Sequence, residues 1–226
     1  MLYLVALPIG NLGDVTFRVR DTLAKADIIL AEDTRKADLL LRRLGIEKKT
    51  LLSFYEHNES KRIPYVVKLL REGREIALVS SAGTPLISDP GYRLVRKCIE
   101  EGLRITSCPG PSAVINALLL SGLAPDKFLF LGFLPRRKKR REKIIAQALK
   151  LPYTLIIFES PRRLKNTLEE VASHAQEERE CVVVREMTKV HEEVIRGSIG
   201  EIRERLEKEK VRGEVVVLIE RRKKEV

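Results

Sequence analysis

The sequence has no tryptophan, only three cysteines and three histidines, and aromatic residues fill just 5% of its 226 positions. Cys98, Cys108 and Cys181 are odd in number and far apart. They exclude a disulfide framework and a zinc-finger spacing, and point to a reducing compartment, the cytoplasm. His57, His174 and His191 are isolated from one another and from the cysteines, so no metal is implied. No apolar run approaches the ~20 residues that a bilayer span needs. The opening MLYLVALPIG has no basic flank and no cleavage signal, and reads as a buried strand. There is no G-x-x-x-x-G-K-[ST], which excludes a P-loop nucleotidase, and GNLG at 10–13 is not G-x-G-x-x-G. No named motif assembles a Ser-His-Asp set.

What the chain does have is aliphatic side chains and positive charge. It is 44% hydrophobic and 33% charged, with a formal net charge of +11. The charge is uneven: Arg136–Lys143, RRKKRREK, holds seven cations and one carboxylate. Such a run is either a solvated helix face or a grip on nucleic acid. Its density, the sequence pI of about 9.7 and its place after a proline favour the grip. Few bulky apolar residues interleave the charges, which disfavours a membrane surface.

Short apolar runs alternate with segments of helical period. LYLVAL, DIILAE, EIALVS, LRITSC and FLFLGF read as strands continuous enough for a sheet covered on both faces. TFRVRDTLAKA, TRKADLLLRRLG, ESKRIPYVVKLLREG and GYRLVRKCIEEG read as helices, with Pro64 expected in a first turn. Strand–helix alternation argues for an α/β fold with parallel pairing. Beyond GFLP the pattern changes. The strands YTLIIFES, ECVVVREM, EEVIRGSI and GEVVVLIE enclose the helices PRRLKNTLEEVASHA and IGEIRERLEKE, with some antiparallel pairing expected. A boundary near Pro135 divides the chain into an N-terminal α/β domain, 1–135, and a C-terminal one, 136–226. The tail RRKKEV reads as unpacked.

Ligands of open α/β sheets sit at the carboxyl ends of strands, and here nearly every such end is furnished. PIGNLGDVT, EDTR, SSAGTPLISDP, PGPSA, GFLPRRKKRR, ESPRR and REMTK follow their strands in turn. One Gly-Pro turn is ordinary turn chemistry. The set describes a cleft lined with backbone amides, hydroxyls and a few charges.

PIGNLGDVT, AEDTR, HNE, SAGTPLISDPGYRLV, PGPSA, SGLAPDKFLFLGFLPRR, ESP, and RE-TK with a downstream RG occur in that order. Together they resemble the ribosomal RNA small subunit methyltransferase I family, within the tetrapyrrole-methylase-like class. The resemblance runs from about Leu2 to Glu220. It implies two α/β domains with S-adenosylmethionine in a cleft between them, usually in a homodimer. The implied reaction is methylation of the ribose 2′-hydroxyl of a cytidine in the decoding region of 16S ribosomal RNA, with naked RNA or the 30S subunit as partner. Two positions depart from the family pattern. Ser81 stands where an Asp is usual, and Arg162 where a His is usual.

By position in that pattern, Pro8, Ile9, Ser80, Ala82, Thr84, Ile87, Ser112 and Ala113 are expected to meet the cofactor. Gly83 joins them by letting the backbone come close. For the 2′-hydroxyl, a positioned base or a cation beside the oxygen would help. The candidates are Asp33, Glu159, Glu186 and Lys189, with Arg35 and Arg185 as phosphate or oxyanion partners. Arg136, Arg137, Lys138, Lys139, Arg140 and Arg141 are the expected RNA contacts. Two other functions compete: a tetrapyrrole-type small-molecule methyltransferase, and an RNA-binding protein without catalysis. Binding of both S-adenosylmethionine and ribosomal RNA separates the first reading from either.

Overall fold

The computed structural model describes residues 1–209 and 211–222. The chain divides into two compact units, Met1–Ser112 and Ala113–Val226.

The first unit carries β1 (Leu2–Val5), α1 (Phe17–Lys25), β2 (Ile28–Ala31), α2 (Thr34–Arg43), β3 (Thr50–Ser53) and α3 (Glu59–Arg71). β4 (Ile76–Val79), α4 (Tyr92–Glu100) and β5 (Ile105–Cys108) complete it. The strands form one parallel sheet in the order β3-β2-β4-β1-β5. Alternation along each strand explains why the apolar runs are unbroken. Ile29, Ala31, Ala77 and Val79 face a core with Val19 and Leu23 of α1 and Ala37 and Leu41 of α2. Ile28, Leu30, Ile76 and Leu78 face the opposite core, with Val66 and Leu70 of α3 and Leu94 and Cys98 of α4. The inner strands β2 and β4 are therefore buried on both sides, as parallel strands require, while the edge strands β3 and β5 are part-exposed. β3 is a strand that the sequence reading did not draw. Pro64 lies inside α3, beyond the expected first turn. Its ring is exposed there, on the side of the helix turned from the sheet.

The second unit carries α5 (Ala113–Ser121), β6 (Phe128–Phe133), α6 (Lys138–Ala148), β7 (Thr154–Glu159) and α7 (Pro161–Ala172). β8 (Glu180–Arg185), β9 (Glu193–Ser198), α8 (Ile199–Lys208) and β10 (Val215–Ile219) follow. Its sheet order is β6-β7-β10-β8-β9. Only β6 and β7 pair in parallel; β7–β10, β10–β8 and β8–β9 are antiparallel, the mixture that the close spacing of the late strands foretold. Ile145, Leu164, Leu168, Ile202 and Leu206 of α6, α7 and α8 close over Leu155, Ile157, Val183 and Val217. The division falls at Ser112, ahead of the boundary read near Pro135. β6 pairs with β7, and α5 packs on β10, β8 and β9, so both belong to the second sheet. Of the tail read as unpacked, Arg221 is held by both oxygens of Asp126, at 2.9 and 3.0 Å. Residues 223–226 lie outside the described residues. Among the described residues no helix is long and apolar enough to cross a membrane.

Candidate functional site

The strand order of the first unit puts the loops after β4, β1 and β5 side by side, and hydrogen bonds join all three. Leu7 and Gly83 exchange both backbone bonds (N to O 2.8 and 3.0 Å), an isolated bridge between the first and third of the furnished loops. Thr84 Oγ1 donates to the Pro111 carbonyl at 3.1 Å. Ala6 N reaches Cys108 O at 3.2 Å. The buried Ser80 hydroxyl donates to the carbonyls of Ala82 and Gly83, at 3.0 and 3.2 Å. Thus Pro8, Ile9, Ser80, Ala82, Gly83, Thr84, Ile87 and Ser112 are gathered on one edge of one sheet. Ala113 opens α5 in the second unit.

Gly83 needs its glycine for a reason other than the one expected. It is buried, with φ +71, and a Cβ there would come 3.2 Å from Ile9 Cγ2. The absent side chain admits Ile9, so this glycine welds two loops and does not itself open a path to a ligand. The exposed small surface is instead Ser81, Ala82 and Gly110. Farther along the same loop, Leu86 (φ +72) and Ser88 (φ +65) occupy the left-handed region. Such residues cost about 1–3 kcal/mol each and concentrate at ligand clamps.

The loops after β2 and β4 share an acidic group. Ser81 Oγ donates to Glu32 Oε2 at 2.7 Å, so the serine standing in the place of the usual Asp relieves a repulsion that a carboxylate would add. Asp89 is pushed up to about 6, first by burial and second by the Glu32 charge. A carboxyl raised on folding contributes stability below its ordinary pKa, and that stability is lost as pH rises through the raised value. Asp89→Asn is therefore expected to gain in urea resistance relative to the parent as pH rises from about 3.5 to about 7, an interval that spans the rise from 3.8 to about 6. Parallel stability profiles for the two proteins would refute the Asp89 assignment.

Asp33 and Arg35 lie together at the start of α2. Asp33 Oδ1 caps the helix, accepting from Arg35 N at 3.0 Å and Lys36 N at 3.3 Å. The Lys36 N–H, with Arg35 in support, holds this carboxyl below the usual range. The Arg35 side chain is 92% exposed, its Nε 3.5 Å from Asp33.

In the second unit the expected group divides. Glu186 (φ +50) accepts from Lys189 Nζ at 2.8 Å and Glu214 N at 2.9 Å. Gly213 opposite has no room for a side chain. Lys189 and then the Glu214 N–H hold Glu186 below the carboxylate range. Partial burial works against charge on Lys189, but its bonds to Glu186 and Glu214 outweigh it and raise its pKa. Arg185 is paired with Glu193. Glu159 is the correction. It is 2% exposed and its carboxylate accepts from Ser160 N (2.7 Å), Arg163 Nε and Nη2 (both 2.9 Å) and Thr167 Oγ1 (2.6 Å). A carboxylate so enclosed anchors the start of α7 and is not presented to a substrate.

The basic segment forms the first turns of α6 and the approach to it. Arg136, Arg137, Lys138, Lys139 and Arg140 are exposed. Arg141 departs from the expected RNA contacts. It is 8% exposed, its Nε lies 2.6 Å from Glu170 Oε2, and a second nitrogen meets Oε1. Its remaining nitrogen donates to the Arg136 carbonyl at 3.2 Å. The guanidinium is consumed in joining α6 to α7.

Sequence reading also passed over groups whose role only burial reveals. Glu59, 6% exposed, accepts from Gly91 N at 3.2 Å and so steadies the entry to α4. Asp14, on the first loop, has a buried carboxylate oxygen without a partner. S-adenosylmethionine needs backbone donors, close approach and polar groups for its amino-acid end. The bare edge at 81–82 and 110 fits the close approach, and the Asp14 acceptor lies on the loop that Leu7 joins to Gly83. No metal cluster of three or more His, Cys, Asp or Glu occurs among the described residues. The three cysteines are free and buried, and burial pushes Cys98 up to about 11 and Cys181 up to about 12.

The architecture is thus a parallel sheet with three joined loops at one edge, followed by a mixed sheet. A sequence profile of the tetrapyrrole (corrin/porphyrin) methylases matches residues 1–203, and the chain belongs to that family. Within it, the chain is similar to the ribosomal RNA small subunit methyltransferase I of Thermotoga maritima, 46% identical over 218 residues, which are 96% of this chain and 97% of that one. It is also similar to the protein of the same name from Haemophilus influenzae, 45% identical over 97% of this chain and 78% of that one. In fold it is similar to the methyltransferase CobJ (TM-score 0.73, 20% identity, 97% of this chain and 93% of that one). The cobalt precorrin-4 methyltransferase CbiF is a second such neighbour (TM-score 0.71, 18% identity, 97% and 94%).

Proposed function

We propose that this protein is an S-adenosylmethionine-dependent methyltransferase acting on the ribose 2′-hydroxyl of a cytidine in the decoding region of 16S ribosomal RNA. The observation that carries the substrate class is the likeness, over almost the whole chain, to relatives named as small-subunit ribosomal RNA methyltransferases. The welded edge of the first sheet supports the methyl donor, and the exposed cations of α6 support the RNA. The same reading has the enzyme acting in the cytoplasm, as a homodimer, on small-subunit RNA or the 30S subunit.

The donor supplies a methyl group already activated by its sulfonium. The protein's work is then chiefly to hold the acceptor oxygen in line, which well-oriented reactions show to be a large effect. Loops rigidified by the Leu7–Gly83 bridge and the Thr84–Pro111 bond suit that task. Lys189, kept protonated by two carboxylates, suits a cation beside the developing oxyanion. Asp33 and Glu186, both kept ionised, are the remaining candidates for accepting the proton, and Arg35 and Arg185 for holding a phosphate.

The test is transfer of labelled methyl from S-adenosylmethionine to unmodified small subunits, with the modified nucleotide mapped. The expected result is a single 2′-O-methylcytidine in the decoding region. Label entering a tetrapyrrole but not RNA would overturn the proposal in favour of a small-molecule enzyme.

A further inference from the structure

We propose that a groove on the second unit, walled by Lys139, Lys143 and His174, seats a backbone phosphate of the small-subunit ribosomal RNA. The inference rests on the RNA reading above and adds a site to it. The groove is about 440 Å³ and is lined by Lys139, Glu142, Lys143 and Ala146 of α6, with Ser173 and His174 at the end of α7. Positions 139, 142, 143 and 146 are spaced three and four apart, so they form one stripe along one face of the helix.

Arg141 explains why that stripe faces outward. It lies two residues from both lysines, on the other side of the helix, and its pair with Glu170 fixes the rotation of α6. The inward arginine thus aims the outward lysines. Glu142, the one carboxylate of the groove, lies 3.7 Å from Lys138 and is offset by it. Among the described residues no carboxylate lies in ion-pair range of Lys139 or Lys143. Arg136, Arg137 and Arg140, beside Lys139 in the chain, are exposed as well. A lone small anion has no use for such a line of cations, whereas a polyanionic backbone does. Phosphate contacts of this kind set the register of the RNA and carry no base information.

The test uses the full chain and small-subunit ribosomal RNA, with affinity measured from about 50 to 200 mM salt. In Lys139→Gln/Lys143→Gln the log–log salt slope is expected to flatten by roughly 0.7, the loss of one phosphate on single-stranded RNA. The charge-matched Lys25→Gln/Lys48→Gln protein, altered at exposed sites of the first unit, is expected to keep the parental slope. An unchanged slope in the groove variant overturns the proposal. So does equal flattening in the control, or the absence of salt-dependent RNA binding by the parent. Methyl transfer to RNA by the parent is read in parallel. If the parent binds RNA through the groove and leaves no 2′-O-methylcytidine, the enzymatic reading fails and the groove stands. If it methylates RNA and the groove variant keeps its slope, only the groove fails.

Discussion

Gly83→Val is expected to abolish measurable binding of S-adenosylmethionine in a protein that still unfolds cooperatively. The residue has φ +71, and an L-residue in the left-handed region costs roughly 1–2 kcal/mol, more when branched at Cβ. The new Cβ would meet Ile9 Cγ2 at 3.2 Å and the Pro111 carbonyl at 3.8 Å, and the branch atoms would press closer. Relief requires Gly83 to withdraw from Leu7, breaking both bridge bonds, and to draw Thr84 off Pro111. All three loops then shift together. A loss of about 3 kcal/mol in donor binding corresponds to roughly a hundredfold, enough to remove a calorimetric signal. The fold survives because the cores on both faces of this sheet are made chiefly by the strands and helices. Thr84→Val is the milder companion, losing one hydrogen bond without backbone strain. Its donor affinity is expected to fall by about tenfold or less, in keeping with a bond worth about 1 kcal/mol. Donor affinity unchanged in a folded Gly83→Val protein would show that the donor binds elsewhere.

Glu159→Leu is expected to lower the melting temperature by roughly 10 °C. Removing one partner of a buried ion pair costs about 3–5 kcal/mol, and a chain of this size loses roughly 2–4 °C per kcal/mol. The leucine would leave Arg163 with its Leu134 carbonyl contact alone, and Thr167, fully buried, without its acceptor. Glu159→Gln separates anchor from base. An amide can accept at only one oxygen, while donors from Ser160, Arg163 and Thr167 converge on both oxygens of this carboxylate. That variant should also melt early. A Glu159→Gln protein of parental stability but greatly reduced turnover would return Glu159 to the catalytic group.

Much of this fold was legible because strand and helix periods are local properties. The runs at 28–31 and 76–79 alternate between two cores, so they had to be apolar throughout, and a covered parallel sheet followed. The furnished loops were legible too, since Gly, Pro and small hydroxyl residues at strand ends mark turns wherever they occur. β3, in TLLS, has only two apolar residues between polar ends and is part-exposed, so no apolar run announced it. The division at Ser112 depended on which sheet β6 joins, a pairing with β7 that no local pattern encodes.

Side-chain chemistry was settled by neighbours distant in the chain. RRKKRREK was uniformly basic as a sequence. Only α7 decided that Arg141 turns inward, by supplying Glu170 from 29 residues away. Glu159 and Glu186 were equivalent candidates until packing enclosed one behind Arg163 and Thr167 and left the other in a strained turn with Lys189. Asp89 was one acid of a turn until burial, and then the Glu32 charge, moved its protonation toward neutrality. Gly83 was expected to leave space for a ligand, and Ile9 fills that space instead. The sequence by itself determined most of the elements, the covered sheet and the loops proposed to bear the site. The tertiary structure alone decided which charges face water, because burial and long-range pairing depend on contacts that the order of residues does not display.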